Sequence, residues 1–225
     1  MIEVRFLGHA GIHLSDGQTR LVIDPWLSGN PMATTGPEEI EADVIVVTHA
    51  HGDHWGDSVS ISQRTGGLLV SNAEIARYSE ARGAQVKPMG IGGTYAFDGG
   101  WVKYFPAWHS SSFPDGTYGG MPMGVVVEMS GTRVYHAGDT GLFTDMRLVG
   151  ELGIDLAILP IGDNFTMGPD DALRALEFIE PRQVLPIHYN TFPPIRQDAG
   201  DFVARAAKLG VGGEALEPGE SLTVG

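Results

Sequence analysis

The sequence predicts an α/β fold, one domain over residues 1–225 with helices packed outside β-sheets. Three observations predict it. Strand signals dominate the first half, strand and helix signals alternate later as in βαβ units, and no linker separates two regimes of composition. Apolar residues make up 42% of the chain, enough for a sizeable core, and charged residues 19%, too few for a disordered one. The 32 glycines are about twice the usual share, which fits short strands joined by tight turns.

Val4, Phe6 and Ile12, Leu14 read as two strands around a Gly8–Gly11 turn, and Leu21-Val22-Ile23 as a buried strand ending at Asp24-Pro25. Residues 28–42 are rich in Ser, Gly, Pro and Thr and read as a loop. Val44-Ile45-Val46-Val47 is four β-branched residues in a row, hence a strand covered on both faces. A short helix fits 57–64 and a strand 68–70; Ser71 or Asn72 caps a helix through Ser79, with Gly83 after it. Strands follow at 85–88, 94–97, 101–106, 125–129 and 132–136, the last two joined at Ser130-Gly131. Helices fit 143–150, 170–179 and 199–208, with strands at 155–160 and 183–187. Residues 110–123 show no periodicity, and a segment of that length and composition is expected to act as a lid that sets specificity.

Acidic residues outnumber basic ones 28 to 14, a net charge of −14. Such a field repels phosphate backbones and anionic membranes, so neither nucleic acid nor membrane is expected as a partner. Cysteine is absent, which removes disulfides, thiolate nucleophiles and Cys-based metal sites together. No signal peptide or membrane-length apolar run is visible, so a cytoplasmic protein is expected.

Chemistry concentrates in Thr48-His49-Ala50-His51-Gly52-Asp53-His54, directly after the β-branched strand. His49 and His51 are two apart, so in extended backbone they point the same way. Past a turn at Gly52, Asp53 and His54 face a second point nearby, so one loop could hold two cations. Further donors close other strands: His109 after Tyr104–Trp108, Asp139 in His136-Ala137-Gly138-Asp139-Thr140, and His188 after Val184–Ile187.

This pattern resembles the metallo-β-lactamase superfamily across nearly the whole chain. It is most similar to the branch of small metal-dependent hydrolases related to ascorbate-6-phosphate lactonases. The strings that carry the likeness include Ile91-Gly92-Gly93, His136–Thr140, Leu159–Pro169 and Pro186–Thr191. The resemblance implies a four-layer αββα sandwich of two mixed β-sheets with helices on both outer faces. It implies one metal on His49, His51 and His109 and a second on Asp53, His54 and His188, with Asp139 bridging. The all-N/O donor set suits two divalent metal ions, zinc first, with manganese or iron as alternatives. The resemblance also implies that Asp53 is the catalytic proton acceptor.

Other polar residues beside strand ends are secondary candidates. Asp24 either orients a ligand histidine or caps the turn at Pro25, and the resemblance implies a place for His9 near the metals or the substrate. His136 reads as a buried, hydrogen-bonded histidine, and His13 receives no role. Asn164, Thr166, Tyr189 and Asn190 are placed to contact substrate, although turn bonding explains Asn164 and Asn190 as well. Trp55, next to His54, is expected on the pocket wall, and Arg196 is the nearest candidate anion anchor.

The expected function is a dinuclear hydrolase acting through a metal-bridging hydroxide on a small-molecule lactone, ester, thioester or phosphoester. The alternatives are a non-catalytic metal-binding or ligand-sensing protein and a nuclease or phosphodiesterase of the same superfamily. A homo-oligomer is compatible with everything above.

Overall fold

The computed structural model describes residues 1–225. Two seven-stranded sheets face each other. The first runs β14(Ser221–Val224)-β1(Ile2–Gly8)-β2(Gly11–Ser15)-β3(Arg20–Ile23)-β4(Val44–Val46)-β5(Leu68–Asn72)-β6(Val86–Met89). The second runs β13(Gly212–Gly213)-β12(Gln183–Ile187)-β11(Leu156–Pro160)-β10(Thr132–His136)-β9(Met123–Met129)-β8(Gly100–Pro106)-β7(Thr94–Phe97). Each sheet is mixed. Strands β3 to β6 and β10 to β13 pair in parallel, and the remaining pairs are antiparallel.

The pleat explains the β-branched run. Val44 and Val46 point into the core between the sheets with Ile23, Val125, Val127 and Ile158, whereas Ile45 and Val47 point outward with Val22 and Leu69. That outer face is covered by Ile61 of α2 (Ser58–Thr65) and Ile75 of α3 (Ala73–Glu80). The second sheet's outer face is covered by α4 (Met146–Gly150), α5 (Pro169–Ile179) and α6 (Ala199–Lys208) through Met146, Leu176 and Phe202. The four layers expected from the resemblance are present. No helix is long and apolar enough to cross a membrane.

Most expected elements form within a few residues of their predicted ends. Asn72 is the cap of α3, its side chain accepting from the Ile75 N–H at 2.8 Å. The sequence reading missed β13, β14 and a one-turn helix, α1 (Gly52–Trp55), where it expected a turn.

Residues 110–122 differ from expectation. Phe113 is buried, stacks on Tyr78 at 3.5 Å and meets Trp55 edge-on. Asn72 Nδ2 donates to the carbonyls of Gly119 and Met121, and the Ala50 N–H donates to Ser111 Oγ. The segment is fastened to the first sheet's helical layer by a buried aromatic, an arrangement that runs against a lid.

Strands β1, β3 and β4 run the same way in one sheet, as do β8, β10, β11 and β12 in the other, so their C-terminal ends share one edge of each sheet. Two backbone hydrogen bonds tie the sheets at this edge: Met123 N–H to Thr48 O at 3.1 Å, and His188 N–H to His9 O at 2.7 Å.

Candidate metal centre

Every main donor predicted from sequence lies at that edge. Asp139 is central and buried. Its Oδ1 is 3.3 Å from His54 Nε2, and its Oδ2 is 3.1 Å from His188 Nε2, 3.5 Å from His109 Nε2 and 3.9 Å from His49 Nε2. His49, His51 and His109 form one compact set of donor atoms; Asp53, His54 and His188, with His9, form another. Donors about 2.1 Å from a tetrahedral ion stand roughly 3.4 Å apart, so these separations match ligands around cations.

Local backbone delivers the side chains. His9, Asp24 and His188 have φ of 57°, 47° and 55°, a left-handed conformation costing about 1–3 kcal/mol each in a non-glycine residue. Each follows the last residue of a strand and swings its side chain off the strand direction. Nothing in the sequence signals these strained positions. Asp139 follows Gly138, whose φ is 61° and where a Cβ would stand 2.8 Å from Met123 O and 3.0 Å from Thr48 Cβ. Helix α1 then turns Asp53 and His54 back toward the cluster.

Hydrogen bonds fix which nitrogen of His54 and of His49 faces inward. Asp24 is fully buried. Its Oδ2 accepts from His54 Nδ1–H at 2.8 Å and from the Thr48 hydroxyl at 2.6 Å, and its Oδ1 accepts from the Thr48 N–H at 2.8 Å. The Thr48 oxygen in turn accepts from His49 Nδ1–H at 3.0 Å. One carboxylate therefore orients His54 directly and His49 through Thr48, leaving both Nε2 lone pairs turned inward. Asp24 is thus an orienting group, beyond a turn cap. His9 does the same for Asp53: its Nε2–H donates to Asp53 Oδ2 at 3.1 Å, and its Nδ1 accepts from the Thr191 hydroxyl at 2.9 Å. Burial, partly opposed by Asp53, lowers the His9 pKa to about 4, so the ring is neutral.

The remaining electrostatics keep three of the imidazoles neutral around an ionised carboxylate. Burial holds His49, His51 and His109 below the usual histidine range. Against the cost of burial, the Asp139 and Asp24 carboxylates raise the His54 pKa well above the usual range, so the surroundings favour a positive charge beside its inward Nε2. Burial likewise disfavours an ionised Asp139, yet His188 and His54 hold its carboxyl well below the usual range. His54 Nε2 and Asp139 Oδ1 are buried without a hydrogen-bond partner. Two orphaned donors 3.3 Å apart in such a field are what a divalent cation would satisfy, so the residues fit a metal.

His136 is the buried, hydrogen-bonded histidine expected from sequence: it donates from Nε2 to Ala10 O at 2.9 Å and accepts from Gly138 N–H at 3.0 Å, so both ring nitrogens are used up in structure. Other secondary expectations are corrected. A cavity of about 350 Å³ opens over His51, Asp53, His109, Asp139 and His188. Its remaining wall is Ser110, Phe165 and Phe192; Asn164, Tyr189 and Asn190 do not line it. Asn190 has φ of 61° and its Oδ1 accepts from the Gln197 N–H at 3.0 Å, a turn role. Tyr189 packs on the second sheet's helical layer, and Asn164 is exposed, with φ of 48°, beside Phe165. Trp55 donates to Ser79 Oγ at 3.0 Å and packs away from the cavity, and Arg196 is exposed outside its lining. Sequence reasoning missed Thr48, Thr191, Phe165 and Phe192. An aromatic residue inside a Gly/Pro-rich loop just past a strand was the available signal for the last two.

Two mixed sheets under helices, with histidines and carboxylates gathered at their shared edge, define a metal-dependent hydrolase of the metallo-β-lactamase fold. Residues 19–189 match the sequence profile of the beta-lactamase superfamily domain. The chain is 67% identical over 222 residues to a UPF0173 metal-dependent hydrolase of Thermus thermophilus, covering 99% of each. It is 48% identical to that of Thermococcus kodakarensis, again over 99% of each. The solved structure of Igni18, a metallo hydrolase from Ignicoccus hospitalis, superposes with a TM-score of 0.90 at 38% identity, covering 98% of this chain and 97% of that one. The chain belongs to the UPF0173 metal-dependent hydrolases of the beta-lactamase superfamily.

Proposed function

We propose that this chain hydrolyses a small-molecule ester, lactone, thioester or phosphoester with the help of two divalent cations, zinc before manganese or iron. His49, His51 and His109 would hold one cation; Asp53, His54 and His188 would hold the other, and Asp139 would serve both. When bound, such a pair supplies an activated water at neutral pH and Lewis acidity toward the scissile group. The chain's own residues do the rest. Asp24 and Thr48 lock the tautomers of His54 and His49. Asp53, on the cavity wall, is the carboxylate placed to take the proton of the attacking water, and His9 holds its Oδ2 in position. No side-chain nucleophile is needed.

The observation that carries this reading is Asp139, buried within 3.1–3.9 Å of four imidazole nitrogens with an oxygen left unpaired. Metal analysis of protein purified without added metal, followed by a hydrolase substrate panel on the same material, tests it. Two ions per chain and turnover lost to chelator are expected. Turnover that survives complete removal of metal would overturn the reading.

A further inference from the structure

The two aromatic rings on the cavity wall have no part in holding cations. Phe192 is braced, stacked on Trp26 with centroids 6.0 Å apart and edge-on to His9 at 5.6 Å. Phe165 is the opposite case. It lines the cavity yet is 55% exposed. It stands on a tight loop after β11 whose two preceding residues, Asp163 and Asn164, are both left-handed, with φ of 60° and 48°. The loop base is closed by Asp163 N–H to Met167 O at 3.0 Å and Met167 N–H to Thr140 O at 2.9 Å, with Met167 fully buried. A phenyl ring held in water at a cavity mouth gains apolar burial when an apolar group covers it.

The charges of the wall point the same way. No Lys or Arg lines the cavity, two of its residues are Asp, and the chain carries −14 overall. Apart from the proposed cations, the wall offers no guanidinium or ammonium donor to the remaining oxygens of a phosphate. At about 350 Å³ the space is at the small end of ligand cavities, roughly 300–1,000 Å³.

We infer that Phe165 and Phe192 determine specificity, and that the substrate is an uncharged ester, lactone or thioester carrying an aliphatic or aromatic group, not a phosphoester. The inference rests on the hydrolase reading above. In the reaction, water oxygen forms the new bond to the carbonyl carbon, and the acyl C–O or C–S bond breaks. The alcohol or thiol leaves with one water proton, and the acid keeps the other.

The test uses the full zinc-loaded chain and 4-nitrophenyl acetate, butyrate and hexanoate, with bis(4-nitrophenyl) phosphate alongside. The expected kcat/KM rises about fourfold per added methylene, which is ~0.8 kcal/mol each, chiefly through KM. The phosphodiester is turned over more slowly than hexanoate. Phe165→Ala should lower the hexanoate-to-acetate ratio at least tenfold, while Phe165→Leu keeps most of it. Binding of hexanamide and acetamide, followed by NMR titration, reads the same preference without turnover: hexanamide binds at least tenfold tighter, and Phe165→Ala narrows the gap. A flat ester series, an unchanged ratio in Phe165→Ala, or preference for the phosphodiester overturns this inference and leaves the hydrolase reading standing. If nothing in the panel is turned over, the amide titration alone decides, and equal binding of hexanamide and acetamide overturns the inference.

Discussion

Asp24 shows how much one buried carboxylate can control. It receives three hydrogen bonds, from His54, the Thr48 hydroxyl and the Thr48 amide, and has no solvent exposure. Asp24→Asn keeps the shape but puts an amide donor where a carboxylate oxygen accepts. With its NH2 at the Oδ2 position the amide faces His54 and the Thr48 hydroxyl donor against donor, and the inward lone pairs of His54 and His49 are lost. With the NH2 at the Oδ1 position it faces the buried Thr48 N–H instead. Metal affinity should fall about 10–100-fold, the range for loss of such an orienting partner, with the fold retained. Asp24→Ala leaves three buried donors unpaired and should also cost several kcal/mol of stability, at about 1–3 kcal/mol per group. Metal titration and urea unfolding of both variants separate the effects; two variants with equal stability and wild-type affinity would contradict the relay. Asp139→Ala, which removes the carboxylate shared by four histidines, should lower metal content at both sites and abolish turnover. His13, whose Nε2 bonds Glu41 O far from the cluster, is the control: His13→Ala should do neither.

At the scale of elements, the join between the sheets is the sensitive point. Gly138 and Gly131 both have left-handed φ, 61° and 82°, but differ in surroundings. A Cβ at Gly131 meets nothing within 4 Å, whereas one at Gly138 meets Met123 O and Thr48, the residues that tie β9 to the end of β4. Gly131→Ala should therefore cost only the conformational term, about 1–2 kcal/mol. Gly138→Ala should add a packing term of about 1–3 kcal/mol and lower metal content, because the tie must open or Asp139 must move. Urea midpoints at constant slope, with metal content measured on both, check the difference; equal losses would mean that the close approach is tolerated. The same elements mark what could be read from sequence. The run Val44–Val47 announced a doubly covered strand, and the donors after β4, β8, β10 and β12 announced the cluster, because strand ends and metal-ligand residue types are local signals. Helix α1 was hidden, since four residues carry no periodicity. Thr191 was hidden too, since its role depends on a partner far away in the chain, whereas Phe165 showed only its place in a Gly/Pro-rich loop.

For the whole molecule, the cluster works as a clasp. The proposed cations would each draw ligands from both sheets: His49 and His51 with His109, and Asp53 and His54 with His188. The first member of each set follows β4 in one sheet, while His109 and His188 follow β8 and β12 in the other. Metal binding then stabilises the folded chain by mass action. A cation at a hundred times its dissociation constant adds about 2.7 kcal/mol for one site and about twice that for two. In a chain of 225 residues each kcal/mol moves Tm by about 2–4 °C, so the predicted rise is roughly 5–10 °C for one site and 10–20 °C for two. The net charge of −14 adds a long-range attraction for cations that salt screens beyond about 10 Å at 0.1 M. The binding gain should therefore weaken somewhat with added NaCl, while the coordination itself persists. Calorimetric scans of chelated protein against a zinc series, at low and moderate salt, measure all of this. A Tm that climbs with the logarithm of free zinc is the expected result, with Asp139→Ala losing most of the climb. A Tm indifferent to zinc would mean that the seven donors gather for structural reasons alone, and that the sheets are held by their core and the two backbone ties without a metal clasp.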